Sequence, residues 1–426
     1  MRIAIIALGS RGDVQPYVAL GKGLLKAGHT VRVSSHQDFK GLIEAHGLEF
    51  VSDEINVQSI VQTERMAARG EQGNFLLLMA QMAREAQTRA VQLTEAGLVA
   101  CQGIDLLLAG VGGLYIGIAL AEKLKLPLLQ AYVVPFTPTR EFSSVLTPRL
   151  PRPLNRLSHQ LTRQIMWQGF RSADSVARQK VLGLPRAPLG GPYQSSQLKG
   201  MPVLYGFSPA VIPPPSDWNA QERVTGFWFL DESESWVPPN ALTDFIKNGP
   251  APVYVGFGSM SNRNPEAMAE LVIKALALAG QRAVLLSGWG GLDGKDLPDS
   301  IIMIDSVPHS WLFRHMAAVV HHGGASTAAA GLRAGIPSVV VPFFGDQPFW
   351  GQRIAELGVG PQPIPRKKLT AERLASAIRQ AVTDHSMRQR AAKLGTQIQA
   401  EDGVGLAVQI INELGQQGLP GAQNIS

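Results

Sequence analysis

Val319-Val320-His321-His322-Gly323-Gly324-Ala325-Ser326-Thr327-Ala328-Ala329-Ala330-Gly331 passes from β-branched residues through two glycines into a run of alanines. The first residues read as a buried strand, the last as a helix, and the glycines as the turn between them. A helix start of this kind presents unpaired backbone N–H groups and about half a positive charge, which suits a phosphate or diphosphate. Gly323 and Gly324 let an anion approach the backbone, Ser326 and Thr327 add hydroxyl donors, and His322 can hydrogen-bond an anionic oxygen that favours its charged form. A plainer account stands beside this one, in which Ser326 or Thr327 caps the helix and the histidines pack. Gly324-Ala325-Ser326-Thr327-Ala328 is also a near miss to the G-x-S-x-G nucleophile elbow, lacking its second glycine, so an α/β serine hydrolase using Ser326 is a competing class.

Outward from this stretch the same alternation recurs. Val253 to Phe257, Ala283 to Leu286, Ile301 to Ile304 and Ser338 to Val341 read as further strands with helices between them. In the N-terminal half, Ile3 to Leu8 is a strand, Val14, Tyr17, Leu20 and Leu24 recur at helical spacing, Gly28 stops that helix, and Val31 to Ser34 begins the next strand. This βαβ order predicts a parallel sheet. Asp105 to Ala109 and Leu128 to Tyr132 add strands, and Phe75 to Ala96 a long helix. Residues 137–200 are expected to decorate the sheet and shape a cleft. The prolines at 213–215 and 238–239 mark a stiff linker. The expected division is therefore 1–212, a linker 213–239, a second domain 240–400 and a terminal segment 401–426: two doubly wound α/β domains with ligands at the carboxyl ends of their strands.

A chain of 426 residues with 45% hydrophobic content accommodates two packed domains. A net charge of +6 with only 17% charged residues suits an anionic ligand or a membrane surface but is too diffuse for nucleic acid. The single cysteine, Cys101, excludes an internal disulfide and a thiolate zinc cage, which points to a reducing, cytoplasmic setting. The apolar run at the N-terminus is too short for a signal-peptide core, and the weakly polar stretch from Leu106 to Ala121 is broken by glycines and too short to span a membrane. Gly9-Ser10-Arg11-Gly12 is not the G-x-G-x-x-G dinucleotide fingerprint, which disfavours a nicotinamide enzyme. Neither a P-loop nor an H-E-x-x-H motif occurs.

Taken together, His322-Gly323-Gly324-Ala325, Gly335-Ile336-Pro337 and Phe343-Phe344-Gly345-Asp346-Gln347-Pro348-Phe349-Trp350-Gly351 resemble the donor-binding signature of nucleotide-sugar-dependent glycosyltransferases. Gly9-Ser10-Arg11-Gly12-Asp13-Val14-Gln15-Pro16 is similar to the N-terminal motif of the sterol glucosyltransferases and antibiotic-aglycone glycosyltransferases of that superfamily. The resemblance implies the GT-B fold, with two Rossmann-like domains facing across a cleft and a last helix, here Leu406 to Leu414, crossing back to the N-terminal domain. It also implies inverting sugar transfer without a metal or other cofactor, the nucleotide sugar being a co-substrate. No D-x-D or carboxylate cluster stands against that.

On this resemblance Asp13 is the general base for the acceptor hydroxyl, although it can equally cap the helix that follows. An ordinary carboxylate is a weak base, so partial burial is expected. Ser10, Gly12, Ser259, Val307, His322, Gly324, Ala325, Ser326 and Thr327 are the expected donor contacts, with Asp346 and Gln347 holding sugar hydroxyls. Three departures touch the donor: Asp305-Ser306-Val307 lacks the tryptophan that plant members stack on uracil, Ala330 replaces their ribose-binding carboxylate, and Ser326 replaces a glycine. UDP-glucose is the expected donor, with a TDP-deoxysugar as the alternative. Phe75 to Met82 and Phe136 to Leu150 offer apolar side chains for a sterol, terpenoid, lipid or polyketide acceptor, though such residues usually fill cores. Arg140, Arg149, Arg152, Arg156 and Arg163 form a basic stretch that leaves peripheral membrane contact open, a solvated loop being the plainer account. A non-catalytic nucleotide-sugar-binding protein is a third class.

Overall fold

The computed structural model describes residues 1–54, 75–231, 236–257, 265–286 and 297–420. Two compact units result, one formed by the chain up to Leu230 together with the segment from Asp402 onward, the other by Asp231–Glu401.

The first unit carries a seven-stranded parallel sheet: β1 (Arg2–Ile6), β2 (Thr30–Ser35), β3 (Glu49–Ser52), β4 (Leu106–Ala109), β5 (Leu128–Tyr132), β6 (Val203–Tyr205) and β7 (Glu222–Val224), in the order β3-β2-β1-β4-β5-β6-β7. Its helices are α1 (Arg11–Lys26), α2 (Lys40–Glu44), α3 (Phe75–Ala100), α4 (Leu114–Leu124), α5 (Asn155–Val176) and, at the end of the chain, α13 (Gly403–Gln417). Ile3 to Ile6 and Leu106 to Ala109 are buried without alternation, as strands covered on both faces must be. Helices α1 and α13 pack closely because Gly23 has no side chain: a Cβ there would lie 2.4 Å from Val404 Cγ1.

The second unit repeats the design with β8 (Val253–Gly256), β9 (Ala283–Leu286), β10 (Ile301–Ile304), β11 (Ala318–His321) and β12 (Ser338–Val340), all parallel, in the order β10-β9-β8-β11-β12. Between and after them come α6 (Asn240–Lys247), α7 (Pro265–Ala279), α8 (His309–Leu312), α9 (Ala325–Ala334), α10 (Gln347–Glu356), α11 (Ala371–Thr383) and α12 (His385–Gln399). Val253, Val255 and Val320 face one core with Leu276 and Ile378, while Tyr254, Val284 and Val319 face the other with Leu312 and Phe313. Alternate residues thus feed two helical layers, the mark of a doubly wound sheet.

The expected linker at 213–239 needs correction. Glu222–Val224 is the edge strand of the first sheet, Trp218 stacks on Tyr205 with ring centroids 4.6 Å apart, and Trp228 is buried with its indole N–H donating to Thr225 Oγ1 at 2.9 Å. The prolines stiffen this segment, but its aromatic side chains anchor it in the first unit, which hands over to the second at Leu230 and Asp231. Strands β3, β6 and β7 were not legible in the sequence because β3 and β7 are partly exposed and begin with a glutamate, and β6 is three residues long directly after Pro202.

Candidate active site

In each sheet the strand order reverses direction once, between β1 and β4 and between β8 and β11. The crevice at the carboxyl ends of the strands beside such a switch point is where ligands bind in these folds. Gly9 to Asp13 follows β1, and His322 to Thr327 follows β11, so both sequence motifs fall at switch points.

In the first unit, Asp13 occupies the first turn of α1, where the backbone N–H and the hydroxyl of Ser10 both donate to its Oδ2 at 2.8 Å. The capping role and a chemical role therefore coexist in one side chain. Gly9 is held at φ +132°, and a Cβ on it would lie 2.6 Å from Asp13 Oδ2, so glycine is required for the carboxylate to fold back over the turn. Asp13 retains solvent-accessible surface, yet the protein around it limits its hydration and raises its carboxyl above the ordinary carboxylate range. The Ser10 hydrogen bonds and the neighbouring His36 oppose that rise.

Two residues of this site escaped the sequence reading. Strands β1, β2 and β3 are adjacent, so their carboxyl ends bring Gly9, His36 and Asp53 into a row. The Gly9 N–H donates to His36 Nε2 at 3.3 Å, and His36 Nδ1 lies 2.5 Å from Asp53 Oδ2. An Nε2 that accepts requires the proton on Nδ1, where Asp53 receives it. Both side chains are buried, Asp53 to 1% exposure. A polar residue directly after each apolar run was the available signal, but β3 had to be recognised first.

In the second unit, α9 begins at Ala325 with Gly324 in the N-cap position, which has no side chain to cap it. The capping account of Ser326 and Thr327 is thereby set aside; both lie in the first turn, with Ala325. His322 lies over this turn, its Nε2 2.6 Å from the position a Cβ on Gly324 would take, and its Nδ1 is buried without a hydrogen-bond partner. Burial pushes the His322 ring down to about 4, so without an anion it is neutral rather than charged. His321 is wholly buried, accepts the Gly323 N–H through Nδ1 at 3.1 Å, and is held far below the ordinary imidazole range by burial and then by His322 and His309.

A Cβ on Gly323 would lie 3.0 Å from the Gln347 carbonyl oxygen, so the starts of α9 and α10 are neighbours. Gln347 is buried and its Oε1 accepts the N–H groups of Phe343 and Phe344 at 2.8 and 3.1 Å, ordering the loop that carries Asp346. Asp346 Oδ2 accepts the indole N–H of Trp350 at 2.8 Å. Val307 is a core residue beside Leu312 and Phe313 at the end of β10, three strands from β11 and hence about 14 Å away along the sheet edge. Ser259 lies outside the described residues, and Phe75 to Met82 fall outside the described side chains. Phe136 and Val145, considered for an acceptor pocket, are core residues at 4% and 5% exposure. Among the described residues no group of three or more His, Cys, Asp and Glu side chains is placed to hold a metal ion.

Both halves of the chain match known proteins. Residues 3–143 match the glycosyltransferase family 28 N-terminal domain, and residues 284–414 match the C-terminal domain of the erythromycin biosynthesis protein CIII-like family. The chain is 38% identical to a sterol 3-beta-glucosyltransferase of Neurospora crassa and 36% identical to one of Komagataella phaffii, over 96% of its own length in both cases. It spans 27% and 34% of the length of those relatives. Among solved structures, the kitacinnamycin glycotransferase superposes with a TM-score of 0.69 at 20% identity, covering 97% of this chain and 98% of the other. The calicheamicin glycosyltransferase gives 0.68 at 19%, covering 98% and 99%. Two Rossmann-ordered sheets and these superpositions show the GT-B fold, and residues 3–143 carry a glycosyltransferase family 28 N-terminal domain.

Proposed function

We propose that this chain is an inverting hexosyltransferase that moves glucose from UDP-glucose to a hydroxyl of a small hydrophobic acceptor, a sterol above all. The carrying observation is the geometry of Asp13, an exposed carboxylate just beyond the carboxyl end of β1 that Ser10 holds through one oxygen. In this reading Asp13 takes the proton of the acceptor hydroxyl as that oxygen attacks the anomeric carbon from the face opposite the diphosphate. The new C–O bond forms as the bond to the diphosphate breaks, and configuration inverts. His36, fixed by Asp53, is a positioning residue that holds the Gly9 turn and hence Asp13.

The departing UDP carries the negative charge, which the N–H groups of Ala325 to Thr327, the α9 dipole and His322 stabilise. An anion at that place raises the His322 pKa toward neutrality, so the buried ring becomes a charged donor only when the site is filled. Asp346 is assigned to the sugar hydroxyls, with Gln347 shaping its loop. The sterol acceptor rests on the relatives named as sterol 3-beta-glucosyltransferases. The departures at Ser306 and Ala330 favour a second reading, a TDP-deoxysugar donor.

Incubating the protein with UDP-glucose and a 3β-hydroxysterol tests the proposal. A β-glucoside formed in excess EDTA is the expected product. An α-linked product, or turnover only with added Mg²⁺ or Mn²⁺, contradicts the mechanism. Transfer from TDP-sugars alone moves the assignment to the second donor, and nucleotide binding without transfer to any acceptor leaves a binding module.

A further inference from the structure

Helix α5 is inside out. Its buried face carries Asn155, Ser158, His159 and Thr162, and the first three hydrogen-bond with the segment before the helix: Ser143 Oγ donates to Asn155 Oδ1 at 2.8 Å, the Ser144 N–H donates to Ser158 Oγ at 2.9 Å, and His159 Nε2 lies 3.0 Å from the Phe142 carbonyl oxygen. Its outer face carries a row of aliphatic side chains. Leu154 at the helix start, Leu157, Leu161 and Ile165 follow one another at helical spacing and are 44%, 57%, 53% and 38% exposed. Leu189, 67% exposed, lies beside this helix, its carbonyl accepting from Trp167 Nε1 and Gln168 Nε2, both at 2.9 Å. Five of the eleven large hydrophobic residues exposed among the described residues thus lie in one strip. Single exposed leucines are ordinary, whereas a contiguous strip marks an interaction surface.

The charge around the strip selects its partner. Residues 142–200 contain nine lysines and arginines against one acid, Asp174, which is buried and paired with Arg178. Arg149, Arg152 and Arg156, at the start of the helix, are exposed, and so is Arg186, three residues before Leu189. An apolar strip edged by more arginines than acids, Asp217 near Arg156 being an acid at the helix start, matches the boundary of an anionic bilayer, where the aliphatic side chains enter the acyl region and the guanidinium groups meet phosphates. No helix among the described residues is long and apolar enough to cross a membrane, so the contact is with the surface. We propose that the outer face of α5, with Leu189, docks this protein on anionic lipid membranes.

Co-sedimentation with vesicles, measured without donor or acceptor, tests this apart from the transfer reaction. Wild type should bind phosphatidylcholine/phosphatidylglycerol vesicles, bind phosphatidylcholine alone at least about 10-fold more weakly, and lose affinity as salt rises. Leu157→Ser with Leu161→Ser should abolish binding, as should, independently, Ile165→Ser with Leu189→Ser. Arg149→Gln, Arg152→Gln and Arg156→Gln together should cost roughly 10²-fold on anionic vesicles. All variants should keep the wild-type melting temperature and turnover of a water-soluble acceptor. Wild type that ignores anionic vesicles, or folded leucine variants that bind like wild type, overturns the proposal. Self-association in solution that the leucine substitutions abolish also overturns it, giving the face to a second copy of the chain.

Discussion

Asp13 carries two loads that substitution separates. Asp13→Asn keeps an oxygen to accept from Ser10 but cannot take a proton, so kcat should fall by roughly 10² to 10⁴ with the melting temperature nearly unchanged. Asp13→Ala should also lose the cap, costing a further 0.5–2 kcal/mol, about 1 being typical. A fully active Asn variant would remove Asp13 from the chemistry. Asp53 acts one step back. Asp53→Ala frees the His36 ring and loosens the Gly9 turn, so kcat should drop, by up to roughly 10²-fold if the carboxylate shifts by about 1 Å, while KM for the donor stays put. Asp53→Asn can still accept the Nδ1 proton and should restore most of the rate. Equal losses in both variants would point to a purely structural role. The motif made Asp13 legible, but His36 and Asp53 lie 23 and 40 positions further on, and only the pairing of β2 and β3 brings them to the same edge.

Helices show the same division between local pattern and tertiary choice. The period of α1 was readable, but its contact with α13 spans almost the whole chain and depends on the missing side chain at Gly23. Alanine at an interior helix position normally gains about 1 kcal/mol over glycine. Here the added methyl meets a stiff β-branched side chain, and overpacking costs about 1–3 kcal/mol. Gly23→Ala should therefore lower the melting temperature, and Val404→Ala in the same chain should recover most of the loss. A double variant no better than the single one would show that the two helices do not meet through this pair. In α5 the fold turns Leu154, Leu157, Leu161 and Ile165 to solvent because the opposite, polar face satisfies the loop from Arg140 to Leu150.

Across the molecule, the buried histidines tie stability to pH. With His322 held at about 4, the unfolded chain binds more protons between about pH 4 and pH 6.5, so this stabilisation is complete above about 6.5 and drains as pH falls through that window. His321 and His159, both lowered by burial, act in the same direction. His322→Gln should shrink, without abolishing, the loss of melting temperature between about pH 7.5 and about pH 5. An unchanged loss would place His322 in water. A saturating nucleoside diphosphate should also flatten the wild-type profile, since it favours the charged ring. By itself the sequence determined the two α/β halves, the strand-to-helix turns at Gly9 and Gly323, and the polar residues placed there, because strand runs, helical periods and glycine turns are written in neighbouring residues. Tertiary structure alone decided the assignment of residues 213–230 to the first unit, the row of Gly9, His36 and Asp53, and the neutrality of His322. It also decided the outward turn of the α5 leucines. Each of these depends on burial and on contacts between residues distant in sequence, which no local pattern encodes.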